Sequence, residues 1–82
     1  LTNQMRRASV RVPSNIAEGY GRQSRADYVK HLRISRASLA ELSTQMELAT
    51  SLNMISKDQQ VEGLLAETDR VLQGLIRSLE LK

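Results

Sequence analysis

The fold is decided by the longest stretch without glycine or proline, residues 25–52, which reads RADYVKHLRISRASLAELSTQMELATSL. Its apolar and small residues recur at alternating steps of three and four, the spacing that puts side chains on one side of an α-helix. This inner stripe consists of Tyr28, Leu32, Ser35, Leu39, Leu42, Met46 and Ala49. Ser24 is a suitable N-cap, and Asp27 brings negative charge to the first turn. The stretch predicts a helix of roughly 40 Å, which is too long for a compact globule of 82 residues and indicates a rod-like bundle.

The segment before it, near residues 2–18, also has helical spacing. Its apolar side carries Leu1, Met5, Ala8, Val12 and Ile16. Pro13 lies inside the segment, so we expect either a kink or a helix that restarts with Pro13 at its first position. Gly19 and Gly21 are expected to end this helix, because glycine tolerates the left-handed conformation of a helix stop.

A third helix is predicted near residues 57–80. Its apolar positions are Val61, Leu64, Leu65, Val71, Leu72, Leu75, Ile76 and Leu79. Ser56 followed three residues later by Gln59 is a capping-box pattern, which predicts that Ser56 caps the helix. Gly63 and Gly74 fall on nearly the same side of it. They either let a neighbouring backbone approach or are simply tolerated on a loosely packed face.

The three segments predict an all-α bundle of three helices. No segment alternates as a β-strand does. The second helix also has an outer face with apolar residues, which are Ala26, Ile34, Ala37 and Leu48. Because a large exposed apolar surface is unusual for a monomer, we expect Ile34, Ala37 and Leu48 to contact another subunit or a missing helix. The first residue, Leu1, is not a methionine, so we expect chain upstream of it.

Positive charge is concentrated in the first half of the chain. Residues 1–36 carry eight basic side chains against two acidic ones, a net charge of +6, whereas residues 37–82 carry four against seven, a net charge of −3. The basic half would attract polyanions, and the other half would not. The alternative is a basic helix face that is only solvated or that pairs with acids of neighbouring subunits.

Arginine dominates the basic half and is suited to phosphate, because its planar fork offers two aligned donors. Arg7 and Arg11 share one side of the first helix. On the second helix, the basic side chains fall opposite the inner stripe, with Lys30 at the margin, so we expect them to point away from it. The candidate nucleic-acid contacts are Arg7, Arg11, Arg25, Lys30, Arg33 and Arg36. Recognition of bases is not expected, because Tyr20 and Tyr28 are the only aromatic residues available for stacking.

The sequence predicts no catalytic, cofactor or metal site, and therefore no enzyme. The single histidine, His31, has Asp27 four residues before it, but no nucleophile elbow accompanies them. The chain has no cysteine and too few other ligands for a metal. The polar cluster of Ser14, Asn15 and Glu18 is better explained by bonds to backbone groups around Pro13 than by chemistry. No apolar run is long enough to span a membrane, and no signal peptide is apparent, so a cytoplasmic bacterial protein is expected.

One stretch of the first helix is specific enough to suggest a family. Residues 4–21, QMRRASVRVPSNIAEGYG, and residues 38–42, SLAEL, followed by Gln45, are its most specific matches. They resemble the four helix bundle family, also called 23S rRNA intervening-sequence protein or S23 ribosomal protein. The resemblance covers residues 1–55 well, while the third helix fits by position and character.

This resemblance implies an antiparallel four-helix bundle that assembles into a homopentamer. It also implies a link to RNA or DNA, because some members are encoded within insertions of large ribosomal RNA genes. A related branch, the accessory proteins of diversity-generating retroelements, implies a further partner of the reverse-transcriptase type. The family has an additional helix before the Leu1-Thr2 pair, which this sequence lacks.

Overall fold

A computed structural model describes residues 1–22 and 24–81, and this part of the chain contains three helices and no strand. Helix α1 spans Thr2–Tyr20, α2 spans Arg25–Ser51 and α3 spans Gln59–Glu80. The predicted all-α class and the three helices are therefore confirmed. The molecule is elongated, with principal extents of 44 × 21 × 13 Å. None of the described helices combines the length and hydropathy needed to cross a bilayer.

Helix α2 lies in the middle, because α1 and α3 both pack against it and do not contact each other. The buried centre consists of Leu32 and Leu39 from α2 with Leu72 and Ile76 from α3. Val12 and Ile16 of α1 pack onto the same cluster. The inner stripe thus holds both flanking helices.

Pro13 lies in the interior of α1, so the alternative of a helix restarting at Pro13 is wrong. Two backbone carbonyl groups just before Pro13 accept hydrogen bonds from side chains. The Oγ of Ser35 donates to the Val12 carbonyl at 2.8 Å, and the Nδ2 of Asn15 donates to the Arg11 carbonyl at 2.9 Å. This agrees with the backbone-supporting interpretation for Asn15, whereas Glu18 instead forms an ion pair with Arg22 at 2.7 Å.

The glycines at the end of α1 act only in part as predicted. Gly21 is the C-cap of α1, but its φ of −72° lies in the right-handed region, and no glycine in the described ranges has a positive φ. Gly19 is a buried residue inside α1, where an added Cβ would lie 2.6 Å from the Cβ of His31 and 3.1 Å from a ring carbon of Tyr28. The missing side chain of Gly19 therefore lets α1 and α2 cross closely.

Helix α2 ends in a Schellman motif. Asn53 adopts the left-handed conformation with a φ of 58°. The Met54 N–H donates to the Ala49 carbonyl at 2.9 Å, and the Asn53 N–H donates to the Thr50 carbonyl at 3.0 Å, the two bonds that define this motif. Asparagine is among the few side chains that tolerate the left-handed region.

The predicted cap of α3 is wrong, since the N-cap is Asp58 and not Ser56. The Oδ1 of Asp58 accepts from the backbone N–H groups of Gln60 at 3.0 Å and Val61 at 3.2 Å. A carboxylate at this position satisfies two free donors and adds favourable charge at the helix N-terminus. A Cβ added at Gly63 or Gly74 would meet no atom within 4 Å, so both glycines lie on an open face and admit no close backbone approach within the described chain.

Candidate nucleic-acid interface

The six basic residues predicted to contact phosphate differ in the partners that the fold gives them. Five of them are exposed, and Arg36 is half-buried. Three form ion pairs with acids of other helices: Arg11 with Glu41, Arg33 with Glu80, and Arg36 with Asp69. The other three, Arg7, Arg25 and Lys30, form no ion pair with any described residue.

The paired arginines connect the helices. The Arg11 guanidinium lies 2.9 Å from the Glu41 carboxylate and joins α1 to α2. The Nε of Arg36 lies 2.9 Å from the Oδ1 of Asp69, and joins α2 to α3, as does the pair of Arg33 and Glu80. Arg33 and Arg36, which we expect from the sequence to point away from the inner stripe, therefore reach across to α3 with their long side chains. The side chains of each pair are between about one-third and three-fifths exposed, so solvent screens the pair and it contributes at most about 1 kcal/mol to stability.

The exposed basic residues of α1 surround an apolar side chain. Arg6, Arg7 and Arg11 line a shallow cavity of about 410 Å³ together with Val10, which is 61% exposed. Arg6 is not among the contacts predicted from the sequence. That prediction rests on the four-residue spacing of Arg7 and Arg11, which Arg6 does not share. Arg6 also lacks an ion pair within the described chain, so it belongs with Arg7 in any polyanion contact.

The two tyrosines meet where α1 passes into α2. The ring centroids of Tyr20 and Tyr28 lie 6.0 Å apart with an interplanar angle of 78°, an edge-to-face arrangement. Tyr20 is 77% exposed, and Arg25 begins the next helix nearby in sequence. The two rings therefore contact each other at this junction.

The predicted subunit contacts and some predicted phosphate contacts share one surface. Ile34 and Ala37 line a shallow, mainly apolar cavity of about 450 Å³ whose lining also includes Lys30 and Arg33. Ile34 is 37% exposed and Leu48 is 50% exposed. A partner that covers Ile34 would therefore also cover Lys30, and this leaves Arg7 and Arg25 as the clearer candidates for a separate polyanion contact.

A smaller cavity of about 240 Å³ lies between α2 and α3. Two of the predicted residues, Arg33 and Arg36, line it from α2. Gln73 and Arg77 line it from α3. Arg77 was missed because it belongs to the acidic half of the sequence. Only the packing of α3 on α2 brings Arg77 beside Arg33 and Arg36, so no local pattern in the sequence predicts that Arg77 belongs with them.

The single histidine is hydrogen-bonded to an amide of α1. The Nδ1 of His31 donates to the Oδ1 of Asn15 at 3.2 Å, and the Asn15 amide is in turn held by the Arg11 carbonyl. His31 therefore helps to join α2 to α1 beside Gly19. The described ranges contain no group of three or more histidine, cysteine or acidic side chains that would hold a metal ion.

The sequence of the three helices matches a known protein family. A family model described as 23S rRNA-intervening sequence protein matches residues 1–77. The chain belongs to this family. The match covers all of α1 and α2 and continues along α3 as far as Arg77, so the resemblance noted in the first two segments extends to the third helix. Comparison with curated proteins and with solved structures gives no significant match.

The part of the chain that the 23S rRNA-intervening sequence protein family describes includes the characteristic stretch of the first helix. The residues of the characteristic stretch, 4–21, lie mainly in α1. Within it, Gly19 and Asn15 serve the α1–α2 contact. Arg6 and Arg7 project to the surface, so this family stretch combines a packing side with an exposed basic side.

Proposed function

We propose that this member of the family is a non-enzymatic, cytoplasmic bacterial protein that assembles into a homo-oligomer and binds the backbone of RNA or DNA. The observation that carries the binding proposal is the set of exposed side chains in the basic half, residues 1–36, that have no acidic partner in the described chain. These are Arg6, Arg7, Arg25 and Lys30. Their charge is uncompensated, and their location in the basic half concentrates the positive field.

Such a surface recognises phosphate without reading the sequence. Arginine presents a planar fork to phosphate oxygens, and each neutralised phosphate releases counterions, so the affinity falls steeply with salt. Base-specific readout would need side chains that reach base edges or stack on them. The two tyrosines contact each other edge to face, so they offer little surface for stacking on bases.

The oligomer is supported by apolar side chains that the three helices leave exposed. Leu48 on α2 is 50% exposed, and Leu64 and Val71 on α3 are 60% and 63% exposed. A homopentamer is the assembly that the family resemblance implies, and a reverse-transcriptase-type protein is a candidate partner. The second candidate function is a purely structural homo-oligomer, and the pairing of Arg11, Arg33 and Arg36 with acids favours it.

The binding proposal is tested by replacing Arg7 and Arg25 together with glutamine. Binding should weaken about equally for all nucleic-acid sequences, and the salt slope for duplex DNA should fall by about two. The fold should be retained, because neither side chain is in an ion pair among the described residues. Arg33 and Arg36 are left unchanged in this test because they join α2 to α3.

The matched control replaces Lys57 and Arg70, two exposed basic residues of the acidic half, and removes the same charge. It should leave affinity and salt slope almost unchanged. Absence of binding at low salt, or equal losses in the two double variants, would leave the structural oligomer as the better explanation.

A further inference from the structure

The shallow cavity between α2 and α3 gathers three guanidinium groups. Arg33 and Arg36 line it from α2, Gln73 and Arg77 line it from α3, and Ile76 and Glu80 complete it. Three positive charges and one negative charge thus face about 240 Å³ of open space. The cavity has the charge and the donors of an anion site.

Two of the guanidinium groups are held in place by carboxylates. Glu80 accepts from Nη2 of Arg33, and Asp69 accepts from Nε of Arg36. A guanidinium group has five N–H donors, so each of these arginines keeps donors that its ion pair does not use. Because the carboxylates restrict the side chains beforehand, less conformational entropy is lost when a ligand binds.

Arg77 is the third group, and its charge is not compensated. It forms no ion pair with the residues that the structure describes, although it shares the cavity with two other arginines. Like charges brought together at one site repel, and a bound anion removes that repulsion. Gln73 adds an amide donor, which an anion can accept.

We infer that this cavity binds one phosphate group through the free donors of Arg33, Arg36 and Arg77, with Gln73 as a neutral donor. The phosphate is either a phosphodiester of a nucleic-acid backbone or a free phosphate group. Binding of a backbone phosphate rests on the proposed function, whereas binding of inorganic phosphate does not. Glu80 lowers the affinity, because its carboxylate also faces the cavity.

The first experiment titrates the chain with inorganic phosphate at low ionic strength and follows backbone amide resonances by NMR. Shifts should concentrate at Arg36, Gln73 and Arg77. Arg77→Gln should lower the affinity about tenfold, the effect of losing one hydrogen bond to a charged group. Arg70→Gln is the matched control, since Arg70 is an exposed arginine on the same helix that does not line the cavity, and it should have almost no effect.

Glu80→Gln tests the charge of the cavity in the opposite direction. The variant should bind phosphate more tightly, because it removes the one carboxylate from the lining while the amide oxygen of glutamine can still accept from Arg33 and hold it in place. An unchanged or lower affinity would place the anion elsewhere and overturn the inference. Circular dichroism of each variant verifies that the helices are intact.

The second experiment separates the two sources of phosphate by measuring the binding of a single-stranded RNA of fixed length by fluorescence anisotropy. If the ligand is a backbone phosphate, Arg77→Gln should lower the salt slope by about 0.7, the contribution of one phosphate in a single strand. An effect of Arg77→Gln on inorganic phosphate alone would support the cavity as a site for a free phosphate group, whatever becomes of the proposed function. Equal behaviour of the Arg77 and Arg70 variants with both ligands would overturn the inference.

Discussion

Gly19 shows how one missing side chain sets the distance between two helices. The sequence identifies it as a glycine near a helix end and predicts a left-handed stop. The structure places it inside α1, against His31 and Tyr28 of α2. The sequence does not reveal this role, because the requirement for glycine comes from a neighbour twelve residues away and not from the local backbone. Asn15 was easier to interpret, since its partner is one turn away on the same helix.

Gly19→Ala should destabilise the protein, because the new Cβ would lie far inside van der Waals distance of His31. Overpacking of this kind costs about 1–3 kcal/mol. Gly74→Ala is the matched control, since open space surrounds Gly74 and alanine is the better helix former by about 0.5–1 kcal/mol. Urea unfolding followed by circular dichroism measures both changes. Equal stability of the two variants would show that the helices do not cross closely at Gly19.

At the level of the elements, local patterns in the sequence predict the helices well and their exact ends less well. The three-four spacing of the inner stripe is a property of the helix itself, and its members Leu32, Ser35 and Leu39 are indeed buried. The start of α3 is harder to predict because two good capping residues compete. The structure starts the helix at Gln59, which puts Asp58 in the capping position and leaves Ser56 two residues too early.

Asp58→Ala should destabilise α3 by about 0.5–2 kcal/mol, the usual cost of removing an N-cap side chain. Two backbone N–H groups, those of Gln60 and Val61, would lose their acceptor. Ser56→Ala should change stability very little, and it therefore serves as the control. Thermal unfolding followed at the helical circular dichroism band tests this pair. A larger loss of stability in the Ser56 variant would show that Ser56 caps the helix, as the capping-box pattern predicts.

For the whole molecule, charge and exposed apolar surface are visible in the sequence, but the pairing of charges is not. The basic half and the acidic half can be counted directly. That Arg36 meets Asp69, which lies 33 residues further along the chain, depends on how α3 packs against α2. The same packing brings Arg77 from the acidic half to the cavity beside Arg36. The residues predicted from the sequence as candidates therefore lie on α1 and α2, whereas Arg6 of α1 and Arg77 of α3 are added only by the structure.

Leu48→Asp should dissociate the proposed oligomer, because a subunit contact at this position would have to bury a new, unpaired carboxylate. Leu81→Asp is the control, since Leu81 is 82% exposed just beyond the end of α3. Sedimentation velocity of both variants and of the unchanged chain measures the assembly. A Leu48 variant with an unchanged mass would show that this part of the outer face is only solvated.

The edge-to-face pair of Tyr20 and Tyr28 also determines what spectroscopy can detect in this protein. The chain has no tryptophan and only these two tyrosines, and both rings lie at the junction of α1 and α2. Intrinsic ultraviolet emission therefore reports on this single junction. Detachment of α3 would be nearly silent in fluorescence while it changes the far-ultraviolet circular dichroism. A difference between the two signals during unfolding would then time the release of α3 relative to the opening of the α1–α2 contact.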